Sequence, residues 1–307
     1  MALKTGGIII RDAFYRPFSK AILYFDPEVI ERPGLHTAFF PTPKHENLII
    51  SIASGKNELP LIVNGLPDFH FNGDTQCFPL YHYEEAVSKQ AGLFDNGEEK
   101  YARRSAITDF IHSRCREQYG ARVREEDIFY YVYGLLHSSD YRLQFSSDLK
   151  KMLPGLPLVD NPDDFWAFGK AGRDLAALHL TYEEQTPCAD IVIAGEDSGN
   201  YRVEKMRFAD KDDKSVIIYN GSIRLSNIPL AAYEYILNGR SAIEWIMERY
   251  QVRVDKASGI RNDPNDWGLE HGNPRYILDL LLRVTTVGLE TMRIVHGLPK
   301  LTFFESN

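Results

Sequence analysis

The chain has 307 residues, a formal net charge of −8, and 44% hydrophobic and 25% charged side chains. This composition is typical of a folded globular protein and excludes disordered, collagen-like and low-complexity classes. The longest apolar runs are only as long as a strand, and the first residues become polar too soon for a secretory signal, so neither a membrane span nor secretion is predicted. Because Cys77, Cys115 and Cys188 are widely spaced, we expect a cytoplasmic protein without a disulfide framework.

The charge is unevenly distributed along the chain. Residues 51–100 and 151–200 are rich in Asp and Glu, whereas the remainder has slightly more basic than acidic residues. Proteins that bind nucleic acid need clustered Lys and Arg side chains at the contact surface. The composition therefore argues against nucleic-acid binding over the whole protein surface but is compatible with a local basic face.

Residues 1–95 are predicted to be rich in β-strands. Short apolar runs separated by Pro, Gly and Asn recur there, at residues 7–10, 21–25, 47–52 and 59–63. Asn72-Gly73 lies between two aromatic-rich stretches and predicts a tight hairpin, because glycine supplies the positive φ that such a turn requires. The polar segment at residues 93–100 places a domain boundary near residue 95.

Residues 96–307 are predicted to form a mainly helical domain with an inserted antiparallel sheet. Helical spacing and helix-end signals predict helices at residues 99–119, 125–137, 139–152 and 162–180. Alternation at about residues 189–226 predicts a three- or four-stranded antiparallel meander. Further helices follow a capping box at Ser241 and the Asn273-Pro274 pair. The predicted class is therefore α+β, with a β-rich N-terminal part before a helical body.

Sequence motifs for several common chemistries are missing. The chain has no phosphate-binding G-x-x-x-x-G-K-[ST], no strand-flanked G-x-G-x-x-G, no G-x-S-x-G and no paired cysteines at zinc-site spacing. His70, Cys77 and His82 could supply three metal ligands, but a hairpin with ordinary histidine and aromatic side chains explains them better. We therefore predict no metal site.

One pattern resembles a metal-dependent nuclease. In the PD…(D/E)xK arrangement an Asp and a Glu hold Mg²⁺ while a Lys stabilises the developing charge, and Asp68, Glu98 and Lys100 fit those letters. Because Glu98 and Lys100 lie in a polar stretch rather than on a strand, a turn and a solvated charge run explain the pattern better. This nuclease is kept as the enzymatic alternative, and a scaffold that only docks other domains is kept as the non-catalytic alternative.

Basic and aromatic side chains recur together in three segments. The first is predicted to be one helix with Arg103, Arg104, Arg114 and Arg116. The second is a predicted strand at 201–208 with Tyr201, Lys205 and Arg207 on one face, and the third has Arg16 and Lys20 beside aromatic residues. Such faces contact phosphates or read a groove, but plain solvated surface and charge-protected edge strands have the same appearance.

Several long stretches together resemble one known family. They are YRPFSKAILYFD (15–26), LPDFHFNGDTQCFPLYHYEE (66–85), EEDIFYYVYGLLHSSDYRLQFSSDLKKMLPGLPL (125–158), DFWAFGKAGRDLAALHLTYE (164–183) and IPLAAYEYILNGRSAIEWIMERYQV (228–252). Over nearly its whole length the chain is similar to the C-terminal specificity, or target-recognition, region of Type ISP restriction–modification enzymes. These enzymes are single-polypeptide relatives of Type I systems.

The resemblance implies that the chain recognises double-stranded DNA for an N6-adenine methyltransferase within a site-specific, ATP-dependent restriction enzyme. In this family the nuclease, helicase-like translocase and methyltransferase are separate domains, so no catalytic residue is expected here. S-adenosylmethionine, ATP and Mg²⁺ are expected only in those domains, which are also the expected protein partners. The candidate DNA contacts are Arg16, Lys20, Arg103, Arg104, Arg114, Arg116, Tyr201, Lys205 and Arg207.

Overall fold

A computed structural model describes residues 10–26, 29–30, 34–85 and 100–301. Of the described residues, 37% are helical and 21% are in strands, with several small antiparallel sheets, which confirms the α+β class. The backbone divides into two compact units. The first unit contains Met1–Arg16, Lys20–Ala176 and Leu298–Asn307, and the second contains Pro17–Ser19 and Ala177–Gly297. The division into domains 1–95 and 96–307 stays a prediction, because its boundary lies in the undescribed segment 86–99.

Eight short strands are described between residues 10 and 105. They are β1 (Ile10–Arg16), β2 (Ser19–Tyr24), β3 (Ile49–Ala53), β4 (Leu61–Val63), β5 (Leu66–Pro67), β6 (Thr75–Pro79), β7 (Tyr81–Glu85) and β8 (Tyr101–Ser105). They form sheets of order β2-β1-β5, β4-β3-β6 and β7-β8. Strand β5 joins β1 in parallel, whereas β3 pairs antiparallel with β4 and β6. The predicted β-rich character of this part of the chain is confirmed for the described residues.

The predicted hairpin at Asn72-Gly73 is wrong. Gly73 does adopt a positive φ of 77°, but the strands on its two sides, β5 and β6, belong to different sheets. Strand β3 is buried along its whole length, so its backbone groups need partners on both edges. Strands β4 and β6 supply those partners, with Ile50 opposite Ile62 on one edge and Phe78 on the other.

The described helices that begin in the first unit are α1 (His36–Phe39), α2 (Asp109–Tyr119), α3 (Glu125–His137), α4 (Ser139–Gln144), α5 (Ser146–Leu149) and α6 (Pro162–Leu180). Of these, α1 lies between β2 and β3 and the others follow β8. The predictions for α3 and α6 are confirmed. The predicted helix at 99–119 is too long, because its first part is β8 and Thr108 caps α2 by accepting a hydrogen bond from the Ile111 amide. The predicted helix at 139–152 is two short helices instead.

Aromatic rings form much of the core of the first unit. Phe165 on α6 is fully buried, and its ring stacks on Tyr119 at 4.1 Å and on Tyr131 at 4.8 Å between centroids. The hydroxyl groups of both tyrosines donate to backbone carbonyl oxygens, of Val159 and Pro157. The rings therefore bury a large apolar area without leaving these polar atoms unpaired.

The second unit contains the predicted small sheet and three further helices. Its strands are β9 (Val192–Ala194), β10 (Arg207–Phe208), β11 (Ile217–Ile218), β12 (Arg224–Ser226), β13 (Ile236–Leu237), β14 (Arg240–Ser241), β15 (Arg253–Val254) and β16 (Arg261–Asn262). Its helices are α7 (Ala242–Arg249), α8 (Asn265–Glu270) and α9 (Tyr276–His296). The antiparallel sheet has the order β10-β11-β12-β9, so it is not a simple meander, because β9 pairs with β12 rather than with β10.

Sequence signals fix where helix α7 begins and where helix α9 ends. The Ser241 side chain accepts from the Glu244 amide, and the Glu244 carboxylate accepts from the Ser241 amide, which confirms the predicted capping box of α7. Helix α9 ends at Gly297, as predicted, and buries its apolar face. None of the helices within the described ranges has the length and apolar character needed to cross a bilayer.

Candidate nucleic-acid interface

The four-stranded sheet of the second unit presents one row of side chains to solvent. Arg207 on β10 is opposite Ile218 on β11, Ile218 is opposite Arg224 on β12, and Arg224 is opposite Ala194 on β9. We call Arg207, Ile218, Arg224 and Ala194 the cross-strand row. Because neighbouring strands are about 4.8 Å apart, the two arginine Cα atoms are about 10 Å apart, two strand spacings.

The opposite face of the same sheet is apolar. The neighbouring register positions place Phe208, Ile217, Leu225 and Ile193 side by side, and Ile217 and Leu225 are fully buried. Successive side chains of a strand point to opposite faces. Burial of this apolar row therefore holds Arg207 and Arg224 on the solvent side.

Among the described residues, the cations of this face have no acidic partner. Arg207 and Arg224 are exposed, and within the described part of the chain neither lies within ion-pair distance of a carboxylate. Lys205 is a third exposed cation. It lies two residues before Arg207, where β10 begins, and the residue between them, Met206, is buried. The result is a local basic surface on a protein of negative net charge.

Tyr201 does not lie on the predicted strand face. The predicted strand at 201–208 is wrong for all but its last two residues. The Tyr201 ring lies 5.6 Å from the guanidinium of Arg275, and its carbonyl oxygen accepts from the Tyr219 hydroxyl at 3.0 Å. These contacts tie Tyr201 to the interior of its unit, because Tyr219 is fully buried.

The four arginines predicted on one helix lie on two elements. Arg103 and Arg104 are on β8, where they pair with Tyr83 and His82 of β7 and point to opposite faces of the ribbon. The guanidinium of Arg103 lies 4.4 Å from the centroid of the Tyr81 ring. That of Arg104 lies 3.6 Å from the Glu84 carboxylate.

Only the second pair of these arginines is helical. Arg114 and Arg116 are exposed on α2, but side chains two residues apart on a helix do not share a face.

Near the start of the chain, Arg16 lies between the Asp68 carboxylate, at 2.7 Å, and the Tyr15 ring, at 4.1 Å. Lys20 is exposed on β2.

Asp68 and Lys100 of the nuclease alternative contact other side chains of the protein. One Asp68 oxygen accepts from Arg16 at 2.7 Å and from the His70 amide at 2.9 Å. Lys100 lies 3.2 Å from the Glu85 carboxylate. Glu98 lies outside the described residues. The nuclease alternative therefore stays a prediction.

His70, Cys77 and His82 do not converge on one point. His70 lies 3.4 Å from the Asp74 carboxylate in the turn before β6, Cys77 is on β6, and His82 lies 3.3 Å from Glu84 on β7. In the described ranges, no group of three His, Cys, Asp or Glu side chains is arranged to hold a metal ion.

Comparison with known proteins identifies the family. A family model described as the Type ISP C-terminal specificity domain matches residues 7–280. The chain belongs to this family. The resemblance predicted from the sequence is therefore confirmed for this specificity domain over most of its length.

Three solved structures resemble the specificity domain. The first is the ATP-dependent Type ISP restriction–modification enzyme LlaBIII bound to DNA, with 38% identity, a TM-score of 0.84, and coverage of 99% of this chain and 19% of that chain. The second is a nuclease-deletion mutant of the Type ISP enzyme LlaGI with a DNA substrate mimic, with 38% identity, a TM-score of 0.78, and coverage of 96% and 21%. The third is a DrdV–DNA complex, with 28% identity, a TM-score of 0.81, and coverage of 99% and 29%.

These comparisons also set the scale of the specificity domain. It spans about a fifth of the LlaBIII and LlaGI chains. No curated protein matches it. The activities and ligands of the whole LlaBIII and LlaGI enzymes can therefore only be proposed for this chain.

Arg224 is the cationic residue of the cross-strand row that the sequence analysis missed. It follows Ile223 and precedes Leu225, both buried, so alternation alone could have placed it on the solvent face. The predicted meander already implies that β11 pairs with β10 and β12, but the register that brings Arg224 near Arg207 has no signal in the local sequence.

Proposed function

We propose that this chain selects the DNA target sequence of a Type ISP restriction–modification enzyme. The observation that carries the proposal is the match of residues 7–280 to the family's specificity domain. The matched structures support it, since each is described as a complex with DNA or a DNA mimic. The partner is double-stranded DNA, and the chain supplies recognition rather than bond-breaking chemistry.

The surface proposed to meet DNA in the second unit is the cross-strand row together with Lys205. Arginine forms paired hydrogen bonds to phosphate and to the major-groove edge of guanine, and an apolar side chain can contact the methyl group of thymine. Arg207 and Arg224 with Ile218 between them combine these chemistries on one face. Since neither arginine has an acidic neighbour in the described ranges, binding DNA breaks no ion pair.

The remaining predicted contacts are proposed as phosphate ligands. They are Arg16, Lys20, Arg103, Arg104, Arg114, Arg116 and Tyr201. Arg114 and Arg116 are exposed on α2, whereas Arg16 and Arg104 would exchange the carboxylates of Asp68 and Glu84 for phosphate.

The chemical steps are proposed to belong to other domains of the parent enzyme. There an adenine flipped out of the duplex would receive a methyl group from S-adenosylmethionine on N6. ATP-driven translocation and Mg²⁺-dependent cleavage would likewise need partner domains. The support is that the chain matches only 19% and 21% of the two Type ISP enzymes.

Methylation profiling tests the proposed function. Genomic DNA is sequenced for N6-methyladenine in cells with the gene that encodes this chain and in cells from which that gene is deleted. We expect one defined sequence motif to be methylated only when the gene is present. If the two methylation profiles are identical while the protein is expressed, the proposal is wrong.

A further inference from the structure

An open concavity of about 680 Å³ lies in the first unit, and Arg103 is the proposed DNA contact among the residues that line it. Residues of β1, of the segment between α1 and β3, and of the β7–β8 ribbon form its walls. The side chains that matter most are Arg11, Phe40, His45, Asn47, Tyr81 and Arg103.

Arg11 is a buried cation that no carboxylate in the described part of the chain neutralises. It is only 7% exposed, and its Nη2 donates to the Phe40 carbonyl oxygen at 3.1 Å. Its Nε is buried with no hydrogen-bond acceptor, and none of the carboxylates in the described ranges pairs with it. Because an unpaired buried charge is costly to the fold, this arrangement favours an anion that none of the described side chains supplies.

The guanidinium of Arg11 borders the concavity. Phe40, whose carbonyl oxygen it contacts, is one lining residue, and His45 is another. Burial, and after it the charge of Arg11, lowers the pKa of His45, so the guanidinium lies close to that ring. Arg103 lines the same space and is held over the Tyr81 ring, so two arginines border the same opening.

The wall between these arginines is fixed by Asn47. Its Nδ2 donates to the carbonyl oxygens of Phe39, at 3.1 Å, and Tyr81, at 2.7 Å. Its Oδ1 accepts from the amides of Leu48, at 2.9 Å, and Tyr81, at 3.0 Å. The concavity is therefore preformed, which lowers the entropic cost of binding a ligand.

Two exposed carboxylates, Asp12 and Glu46, also border the opening. A DNA backbone crossing it would bring several phosphates against them, and like charges repel. A single small anion that reaches Arg11 avoids this repulsion. Guanidinium groups bind phosphate oxygens through paired hydrogen bonds.

We propose that the concavity binds a phosphate group carried by a small molecule, with Arg11 and Arg103 as its cationic contacts. The site is independent of the cross-strand row and does not require DNA. Its ligand class is a phosphate ester or inorganic phosphate rather than a polynucleotide backbone.

Phosphorus-31 NMR with inorganic phosphate tests the site on the intact 307-residue chain. Titration at constant ionic strength should show saturable line broadening. Arg11→Met should abolish it, and Arg103→Gln, an exposed change that leaves the fold intact, should weaken binding about tenfold, the loss of roughly one charge-assisted hydrogen bond. Arg104→Met is the matched control, because Arg104 is on the same strand but faces the other side of the ribbon.

Two further measurements distinguish a small-phosphate site from a structural role of Arg11 and from a DNA-binding surface. In chloride buffer the thermal midpoint of Arg11→Met should be no lower than that of the wild type, because the variant removes an unpaired buried charge. Duplex DNA should weaken phosphate binding no more than Arg103→Gln does, because Arg103 is the one side chain shared with the proposed DNA contacts. The proposal is overturned if phosphate does not bind, if Arg103→Gln leaves its affinity unchanged, if Arg11→Met still binds phosphate or unfolds at a lower temperature, or if DNA displaces the phosphate completely. DNA binding through the cross-strand row would survive each of those results.

Discussion

Single side chains decide where this protein is basic and how it responds to acid. Alternation predicts correctly that Arg207 on β10 faces solvent, because a local pattern fixes the face of a strand. Lys205 is also exposed, but it lies outside the strand. It does not predict that Tyr201 is held by Arg275 and Tyr219, because those residues are distant in sequence. At this scale the sequence predicts orientation but not partners.

Arg207 and Arg224 allow a direct test of the proposed DNA surface. Arg207→Gln with Arg224→Gln should weaken binding of duplex DNA and lower the slope of log affinity against log salt by about two, one unit for each lost phosphate contact. Fluorescence anisotropy with a labelled duplex at several salt concentrations measures both. Arg293→Gln, whose side chain pairs with Glu290 on α9, is the matched control. If the double variant and the wild type bind the duplex with the same affinity and the same salt dependence, the cross-strand row is not part of the interface.

His137 should make the fold sensitive to mild acid. Burial lowers the pKa of this side chain from 6.5 to about 4, so the unfolded chain takes up a proton at a higher pH than the folded chain does. The free energy of unfolding should therefore fall as pH falls from about 6.5 towards about 4, with a loss of about 2 kcal/mol from pH 7 to pH 5. Urea unfolding of the wild type and His137→Gln measures this. A pH dependence equally steep in the variant would contradict the assignment.

At the scale of elements, the sequence predicts helices better than strand pairing. Helices α3 and α6 carry capping and periodicity signals within their own residues, and both are found where predicted. Strand β8 was predicted as part of a helix, because its pairing with β7 depends on residues far along the chain. The hairpin predicted at Asn72-Gly73 fails for the same reason, since β6 takes β3 as its partner.

The crossing of α3 and α6 depends on one close backbone approach. A Cβ atom on Gly172 would lie 1.9 Å from the Tyr130 carbonyl oxygen, and one on Gly134 would lie 2.2 Å from that of Phe168. Gly172→Ala should therefore lower the free energy of unfolding by about 2 kcal/mol, since the helices must separate to admit the methyl group.

Gly169 on the same helix is the control for that prediction. A Cβ there would be 3.8 Å from the Asp127 carbonyl oxygen, an ordinary contact. Gly169→Ala should therefore stabilise the protein by up to about 1 kcal/mol, because alanine favours a helix over glycine. Chemical denaturation of both variants decides between the two signs. A stabilising Gly172→Ala would show that the crossing is not close-packed.

At the scale of the whole molecule, the family and the α+β class follow from long stretches of sequence, whereas the basic surface follows from strand register. A net charge of −8 gives no hint of the cross-strand row, because only the folded sheet brings Arg207 near Arg224. The chain spans about a fifth of LlaBIII and LlaGI. The account therefore assigns this part target selection and leaves the chemistry to the rest of an enzyme.

A domain exchange tests that assignment most directly. The matching region of LlaBIII is replaced by this chain, with which it shares 38% identity and the fold, and the DNA modified by the hybrid enzyme in cells is sequenced for methylated bases. We predict that the hybrid methylates a motif different from that of LlaBIII and the same as the motif methylated in cells that carry the gene for this chain. Methylation of the unchanged LlaBIII motif by the hybrid would contradict the account.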